Sequence, residues 1–247
     1  MSAIFGVLKQ IESEQETELQ TREYLKLINE EIPIMIDLLF KTTNYVEPID
    51  ISKVNFKSYC HDHYVQVPYT FKCLYNIYVF GYYNEAIILL RHLYEILARL
   101  RYFYKHENRL ESYLKGRNRI KEREFFTFDV GDAFYKTDYD ILSKFTHGKE
   151  LFKIFRTDKE SHKIFKEGNF FEKEYADLIL MQITALLYGY INCYVLFFPN
   201  NELDKNIQLK SLYNDTIIGL QELLNWHKNN NPLSVGFYNS IEKLICI

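Results

Sequence analysis

The chain has little glycine and proline: nine Gly and five Pro in 247 residues. So few turn-forming residues argue against a turn-rich all-β fold and favour long helices. Cysteine is also scarce, and none of Cys60, Cys73, Cys193 and Cys246 belongs to a C-x-x-C pair. Because the N-terminus also lacks the apolar run of a signal peptide, we expect a cytoplasmic protein with free thiols.

Common phosphate-binding and catalytic motifs are missing. There is no G-x-x-x-x-G-K-[ST], G-x-G-x-x-G, H-E-x-x-H or G-x-S-x-G, which argues against P-loop nucleotide hydrolysis and α/β-hydrolase chemistry. His61 and His63 would face the same side of a strand, but they would lie in solvent if this stretch is a loop. Zinc needs three or four ligands, and no second cluster has suitable spacing. We therefore expect no metal and no cofactor.

The chain also lacks a net positive charge. The formal net charge is −3 and the sequence pI is about 6.2, whereas a dedicated nucleic-acid binder is usually basic. Residues 101–124 are a local exception, with eight Lys or Arg against four Glu. RNA therefore remains a candidate partner through this segment alone.

One apolar run, residues 176–198, is long enough to cross a bilayer. It contains Asp177, Gln182 and Asn192, and its flanks are not strongly basic. We therefore interpret it as a buried helix of a bundle and expect no association with a membrane.

Hydrophobic residues make up 47% of the chain and recur at helical spacing. This pattern predicts long helices over 14–42, 82–107, 170–198 and 207–229. Pro33 would kink or split the first of them. Residues 68–80 are ambiguous, since they would form either a helix that begins at Pro68 or a tyrosine-rich strand.

Shorter segments complete the predicted organisation. We expect a connector over 44–55, basic short helices over 108–124, an irregular stretch over 125–138, and a short helix over 139–147 that ends at Gly148. The chain then divides into an N-terminal helix with its connector, a central helical bundle, and a C-terminal helical extension: 1–55, 56–200 and 201–247.

Two pairs of polar residues stand four apart, so each pair shares one face of its helix: Arg91 with Glu95, and Ser143 with His147. If the two faces meet, the four residues form one polar cluster. Such a cluster could be a satisfied network that fixes the register of the bundle. It could equally be a site in which His147 acts as a base near neutral pH and Arg91 binds a phosphate.

The helix over 82–107 also contains Arg101 five residues before His106, and Arg99 seven residues before it. This pattern resembles the R-x4–6-H motif of HEPN domains, four-helix bundles common in bacterial toxins and antiviral systems. In the nuclease members of that family, histidine helps to deprotonate a ribose 2′-hydroxyl and arginine stabilises the phosphate charge. The resemblance implies the same roles for the histidine and arginine here. On a continuous helix Arg101 and His106 would be about 140° apart, and Arg99 about 20° from His106 but two turns away.

A second resemblance rests on G-Y-Y-N-E-A-I-I-L-L-R-H-L-Y-E (81–95) and L-S-K-F-T-H-G (142–148). These segments are similar to a bacterial family of helical proteins, related to HEPN domains, whose activity is not established. Its members share G-x-x-x-E-A-x4-R-x-x-x-E and a later L-S-x-x-x-H. The resemblance covers about residues 65–200, and Ser143 stands where a HEPN nuclease would have arginine.

The resemblance implies an all-α, HEPN-like bundle and three alternative functions. The first is a non-catalytic interaction module of a bacterial defence or toxin–antitoxin system. The second is a metal-independent RNase in which His147, Arg91, Glu95 and Ser143 form the site. The third is a small-ligand sensor with a pocket near Arg91.

Partners follow from the same alternatives. In the RNase, the residues that would bind RNA are Arg99, His106, Arg117 and Arg119. The interaction module would bind a partner protein, and the 21 tyrosines would supply an aromatic surface for it. We also expect a homodimer, because the chain has more apolar helical faces than a four-helix core needs; candidate interfaces are 176–198 and 207–225.

Overall fold

A computed structural model of the chain describes residues 2–24, 26–44, 54–127, 139, 142–143, 171–198 and 207–230. Within these residues the structure is helical and contains no strand, which confirms the predicted all-α fold. The helices are α1 (Ser2–Tyr24), α2 (Lys26–Asn44), α3 (Phe56–Val79), α4 (Tyr83–Lys105), α5 (Glu107–Leu114), α6 (Glu122–Thr127), α7 (Lys173–Phe197) and α8 (Ile207–Asn230).

Helix α3 begins twelve residues before the predicted start at Pro68, and the strand alternative for 68–80 is wrong. A capping box fixes the start, because the Asn55 side chain accepts from the Ser58 amide at 2.9 Å and the Ser58 hydroxyl accepts from the Asn55 amide at 3.4 Å. Pro68 lies inside the helix, and Tyr64 and Phe71, four residues before it and three after it, are fully buried. Burial of these aromatic side chains outweighs the loss of one backbone hydrogen bond at proline.

A tight turn at Gly81 joins α3 to α4. The Tyr82 amide donates to the Ile77 carbonyl at 3.1 Å, and the Gly81 amide donates to the Tyr78 carbonyl at 3.0 Å. This is a Schellman motif, which requires a left-handed residue before its last donor, and Gly81 has φ of 78°. The turn sets α3 and α4 side by side as a helical hairpin.

Four helices, α2, α3, α4 and α7, pack around one continuous hydrophobic core. Helix α8 packs against α7 and α2, and its Leu220 is part of the same core. Helix α1 lies along α2 and α3.

The apolar helix predicted over 170–198 is α7, a central element of the core. Its stretch Tyr175–Phe197 is long and apolar enough to cross a membrane, with a mean hydropathy of 1.5. However, 78% of its most apolar window is buried inside the fold, mainly against α4, α8 and α3. The prediction of a buried bundle helix is therefore confirmed.

Tyrosines in the described part of the chain are mostly buried or partly buried, whereas Tyr69 is 62% exposed. Tyr64, Tyr78, Tyr94, Tyr190 and Tyr194 are fully buried. A buried hydroxyl needs a partner, and for two of these tyrosines it is a backbone carbonyl: the Tyr64 hydroxyl donates to the Tyr190 carbonyl at 2.8 Å, and the Tyr190 hydroxyl donates to the Leu93 carbonyl at 2.7 Å. The rings thereby join α3, α7 and α4.

Several predicted boundaries change. The helix predicted over 14–42 is two helices, because α1 spans Ser2–Tyr24 and α2 begins at Lys26, with Pro33 inside α2. The basic segment over 108–124 forms α5 and the start of α6, which continues to Thr127 into the stretch predicted to be irregular. Most of the predicted helix over 139–147 lies outside the described residues.

Candidate functional site

Helix α4 carries a row of alternating charges on one edge. Arg91, Glu95 and Arg99 are spaced by four residues, so their side chains lie one above the other. The Glu95 carboxylate is at the centre: it accepts from Arg91 Nε at 2.7 Å and from Arg99 Nη2 at 3.4 Å. All three side chains are less than a quarter exposed. Partial burial makes these ion pairs stronger than a pair in open solvent.

Tyr139 closes one end of this row. Its hydroxyl donates to Glu95 Oε1 at 2.7 Å and accepts from Arg91 Nη2 at 3.2 Å, while the Arg91 guanidinium lies 5.4 Å from the centre of its ring. The ring packs against Phe126, with centroids 4.3 Å apart. Burial, and then the hydrogen bond to Glu95, raise the pKa of the Tyr139 hydroxyl, so it stays protonated and remains a donor.

Glu122 closes the other end. Arg99 Nη2 donates to Glu122 Oε1 at 3.0 Å and so ties α4 to α6. We call Arg91, Glu95, Arg99, Glu122 and Tyr139 the α4 ion-pair network. Its charges balance, with two guanidinium groups and two carboxylates. It holds three separate parts of the chain in register.

A half-buried histidine lies on the α3 side of the network. Burial, together with the nearby positive charge of Arg99, lowers the pKa of His63 below its ordinary value. The ring of Tyr59 contacts the His63 ring edge-on, with centroids 4.7 Å apart. Burial also raises the pKa of Tyr59 to about 12, against the opposing effect of Arg99. Both side chains are therefore neutral at physiological pH.

The His61–His63 stretch is helical and does not form the strand or loop considered from the sequence. Residues two apart on a helix differ by about 200° in direction, so His61 and His63 lie on different sides of α3. In the described part of the chain, no three His, Cys, Asp or Glu side chains are grouped closely enough to hold a metal ion.

The predicted catalytic set is only partly together. Arg91 and Glu95 are paired as expected. Ser143 is half-buried, but it has no hydrogen bond to either of them. His147 lies outside the described residues. Tyr139, four residues before Ser143 in the sequence, contacts both Arg91 and Glu95.

Arg99 and His106, predicted to bind RNA, have separate partners. Arg99 belongs to the α4 ion-pair network, whereas His106 stacks on the ring of Tyr102 with centroids 4.6 Å apart. Arg101 is buried, only 7% exposed, so its side chain points into the protein. The structure therefore does not assemble either R-x4–6-H pair into one open site.

Arg117 and Arg119 lie on the turn between α5 and α6, where Gly116 adopts a positive φ of 66°. Both side chains are exposed. Lys115 and, with a smaller effect, Arg117 lie close enough to Glu111 to lower the pKa of that carboxyl, and the turn presents the guanidinium groups of Arg117 and Arg119 to solvent. This is the one part of the predicted RNA-binding set that is accessible.

Tyr139 and Glu122 are the members of the α4 ion-pair network that the sequence analysis did not single out. Tyr139 had a signal, because it shares a helical face with Ser143 in a short amphipathic stretch. Glu122 had none, because its pairing with Arg99 depends on how α6 folds back along α4, a tertiary contact.

Comparisons of the chain with models of protein families, with curated proteins and with solved structures give no match.

Proposed function

We propose that the protein is a non-catalytic, HEPN-like interaction module of a bacterial defence or toxin-type system. The observation that carries the proposal is the pairing of Arg91, which donates to Glu95 at 2.7 Å and to the Tyr139 hydroxyl at 3.2 Å. The RNase alternative needs this guanidinium to bind a phosphate. A phosphate in that place would compete with Glu95 and the Tyr139 hydroxyl for Arg91, and would leave the partly buried Glu95 carboxylate with the longer 3.4 Å contact to Arg99 as its ion pair, which is costly.

The number of core helices supports this proposal, because HEPN domains are four-helix bundles. Four helices, α2, α3, α4 and α7, surround one core, and the α4 ion-pair network ties α6 and Tyr139 to the outside of α4. In this proposal the network is structural. Its role is to fix the surface that a partner recognises.

The surface best suited to a partner lies on the first half of α1. Val7, Leu8 and Ile11 are 60%, 50% and 43% exposed, although all three are large hydrophobic residues. Their spacing places them on one side of the helix. Exposed apolar residues on one side of a helix can be recognised by a groove on another protein.

Incubation with tRNA in the presence of EDTA tests the choice between module and nuclease. We expect the RNA to stay intact, since the Arg91 guanidinium is occupied. Cleavage that persists in EDTA and disappears in His147→Ala would overturn the non-catalytic assignment and establish the RNase alternative.

A second experiment tests the module directly. The natural candidate partner is the protein encoded next to this chain, and co-expression followed by size-exclusion chromatography would reveal a complex. We expect the double substitution Leu8→Glu, Ile11→Glu to abolish the complex. Lys57→Glu, on the exposed side of α3, is the matched control and should leave it unchanged.

The RNase remains the second candidate because of the turn between α5 and α6. Arg117 and Arg119 have exposed side chains, which suits contact with a phosphate backbone. If the tRNA assay shows cleavage, Arg117→Gln with Arg119→Gln should weaken RNA binding and reduce its dependence on salt.

A further inference from the structure

A cavity of about 390 Å³ lies between α1, α2 and α3, away from the α4 ion-pair network. Its size is within the range of small-molecule sites, which are commonly a few hundred cubic ångströms. Its lining residues are Arg22, Pro33, Ile36, Asp37, Phe40, Lys72, Tyr75 and Asn76.

The interior of the cavity is apolar and aromatic. Ile36 and Tyr75 are buried, each 5% exposed, and Phe40 is half-buried. Phe40 is held in place by an edge-on contact with Tyr69, with centroids 4.8 Å apart. Two ring systems and an aliphatic side chain suit a planar, apolar body, because such a body can stack on or abut an aromatic ring.

The exposed rim of the cavity is polar, and its charge is positive. Arg22 is fixed by Glu18 at 2.8 Å and donates to the Tyr75 hydroxyl at 3.3 Å. Asp37 is paired with Lys41 at 2.6 Å. Lys72 has no hydrogen bond or ion pair with any described residue, so its charge is the one left uncompensated at the rim.

These features together indicate the chemical class of ligand that the cavity would bind. The apolar interior accommodates a ring, Lys72 attracts an anionic group at the rim, and the exposed Asn76 amide offers both a donor and an acceptor. We propose that this cavity binds a small planar anion, an aromatic ring joined to one phosphate or carboxylate. Nucleoside monophosphates and aromatic carboxylic acids share this chemistry. The inference is independent of the proposed interaction with a partner protein.

Titration calorimetry on the full chain distinguishes the two ligand sources. One arm uses adenosine, guanosine, cytidine and uridine monophosphate, and the other uses indole-3-acetate and salicylate. Adenosine, which has no anion, and inorganic phosphate, which has no ring, are the comparators. We expect at least one arm to bind with a dissociation constant below about 1 mM, and both comparators to bind about tenfold more weakly.

Two variants locate the binding. Lys72→Gln should weaken it about fivefold, whereas Lys57→Gln, an exposed lysine about 22 Å away along the same helix, should not change it. Phe40→Leu keeps the site apolar but removes the ring, and should weaken ligands that contain a ring about fivefold or more without changing phosphate binding.

Three results would overturn the proposal. The first is the failure of both arms to bind below about 1 mM, the affinity set as the threshold. The second is equal binding of phosphate and of the ring-bearing anions, which would show a general attraction for anions. The third is an unchanged affinity in Lys72→Gln, provided that thermal melts show the variant to be folded.

Discussion

The hydroxyl of Tyr139 donates a 2.7 Å hydrogen bond to the carboxylate of Glu95, on a helix 44 residues earlier in the chain. The same hydroxyl accepts from Arg91, so one phenol bridges both members of an ion pair. Because Tyr139 is buried against Phe126, the contact anchors its segment to α4. Of the four polar residues in the predicted site, Arg91 and Glu95 are thus both engaged by Tyr139.

Removal of this hydroxyl should destabilise the protein. Tyr139→Phe keeps the ring and its packing but leaves Glu95 and Arg91 each without one partner, at a cost of about 1–2 kcal/mol in the free energy of unfolding. Urea denaturation measures it. Tyr69→Phe is the matched control, since Tyr69 is 62% exposed and has no hydrogen bond to a described residue. Equal midpoints for both variants would contradict the bridging role.

Glu95 should matter more than Glu122, although each is one carboxylate of the same network. Glu95 accepts from Arg91, Arg99 and Tyr139, whereas Glu122 accepts from Arg99. We expect Glu95→Gln to cost about 2 kcal/mol of stability and Glu122→Gln about half of that, because the second is nearer to solvent. Denaturant midpoints of the two variants give the comparison, and a larger loss for Glu122→Gln would refute this order.

His63 should make stability depend on pH. Its folded-state pKa is lowered, first by burial and then by Arg99 and His92, while Asp62 opposes the shift. The unfolded chain therefore takes up a proton more readily, and stability is lost as pH falls below about 6.5, the ordinary histidine value. His63→Gln should reduce the loss of stability between pH 7.5 and 5.5. Urea denaturation at the two pH values measures that loss. An identical loss in wild type and variant would show that His63 does not contribute.

Self-association is expected through α8. The other predicted interface, 176–198, is mostly buried in the chain's own core, whereas Ile207 and Ile218 are 84% and 54% exposed and lie about 20° apart around α8. Light scattering should give twice the monomer mass of 29.8 kDa. Ile218→Glu should shift the protein to monomer, and Val65→Glu on α3 should not. A monomeric wild type at micromolar concentration would argue against the dimer.

The sequence was a good guide to the helices whose apolar residues repeat most regularly. The α4 prediction over 82–107 matches the helix Tyr83–Lys105 closely, and α7 was recognised despite its resemblance to a membrane span. The start of α3 was misread because Pro68 was taken as an N-terminal signal. The capping box at Asn55 and Ser58, which was present in the sequence, carries that information instead.

The candidate site could be predicted only in part. Arg91 and Glu95 are four residues apart on one helix, so helical geometry alone brings them together. The partners Tyr139 and Glu122 are 44 and 27 residues from Glu95 along the chain. The face that Tyr139 shares with Ser143 could be read from the sequence, but the pairing of either partner with α4 could not. The prediction for His147 lies outside the described residues and remains a prediction, as do the family resemblance, the division into domains and the partners.

What the sequence alone determined is the all-α class, since few glycines and prolines and a 3.6-residue apolar period leave little else. Tertiary structure decided where the aromatic and charged side chains went. Tyrosine has an apolar ring and a polar hydroxyl, so it suits a surface as well as a core in which a carbonyl is within reach. Only packing of α3, α4 and α7 placed the carbonyls of Tyr190 and Leu93 there. From the sequence, Arg91 could equally bind a phosphate. In the folded protein its guanidinium donates to the Tyr139 hydroxyl.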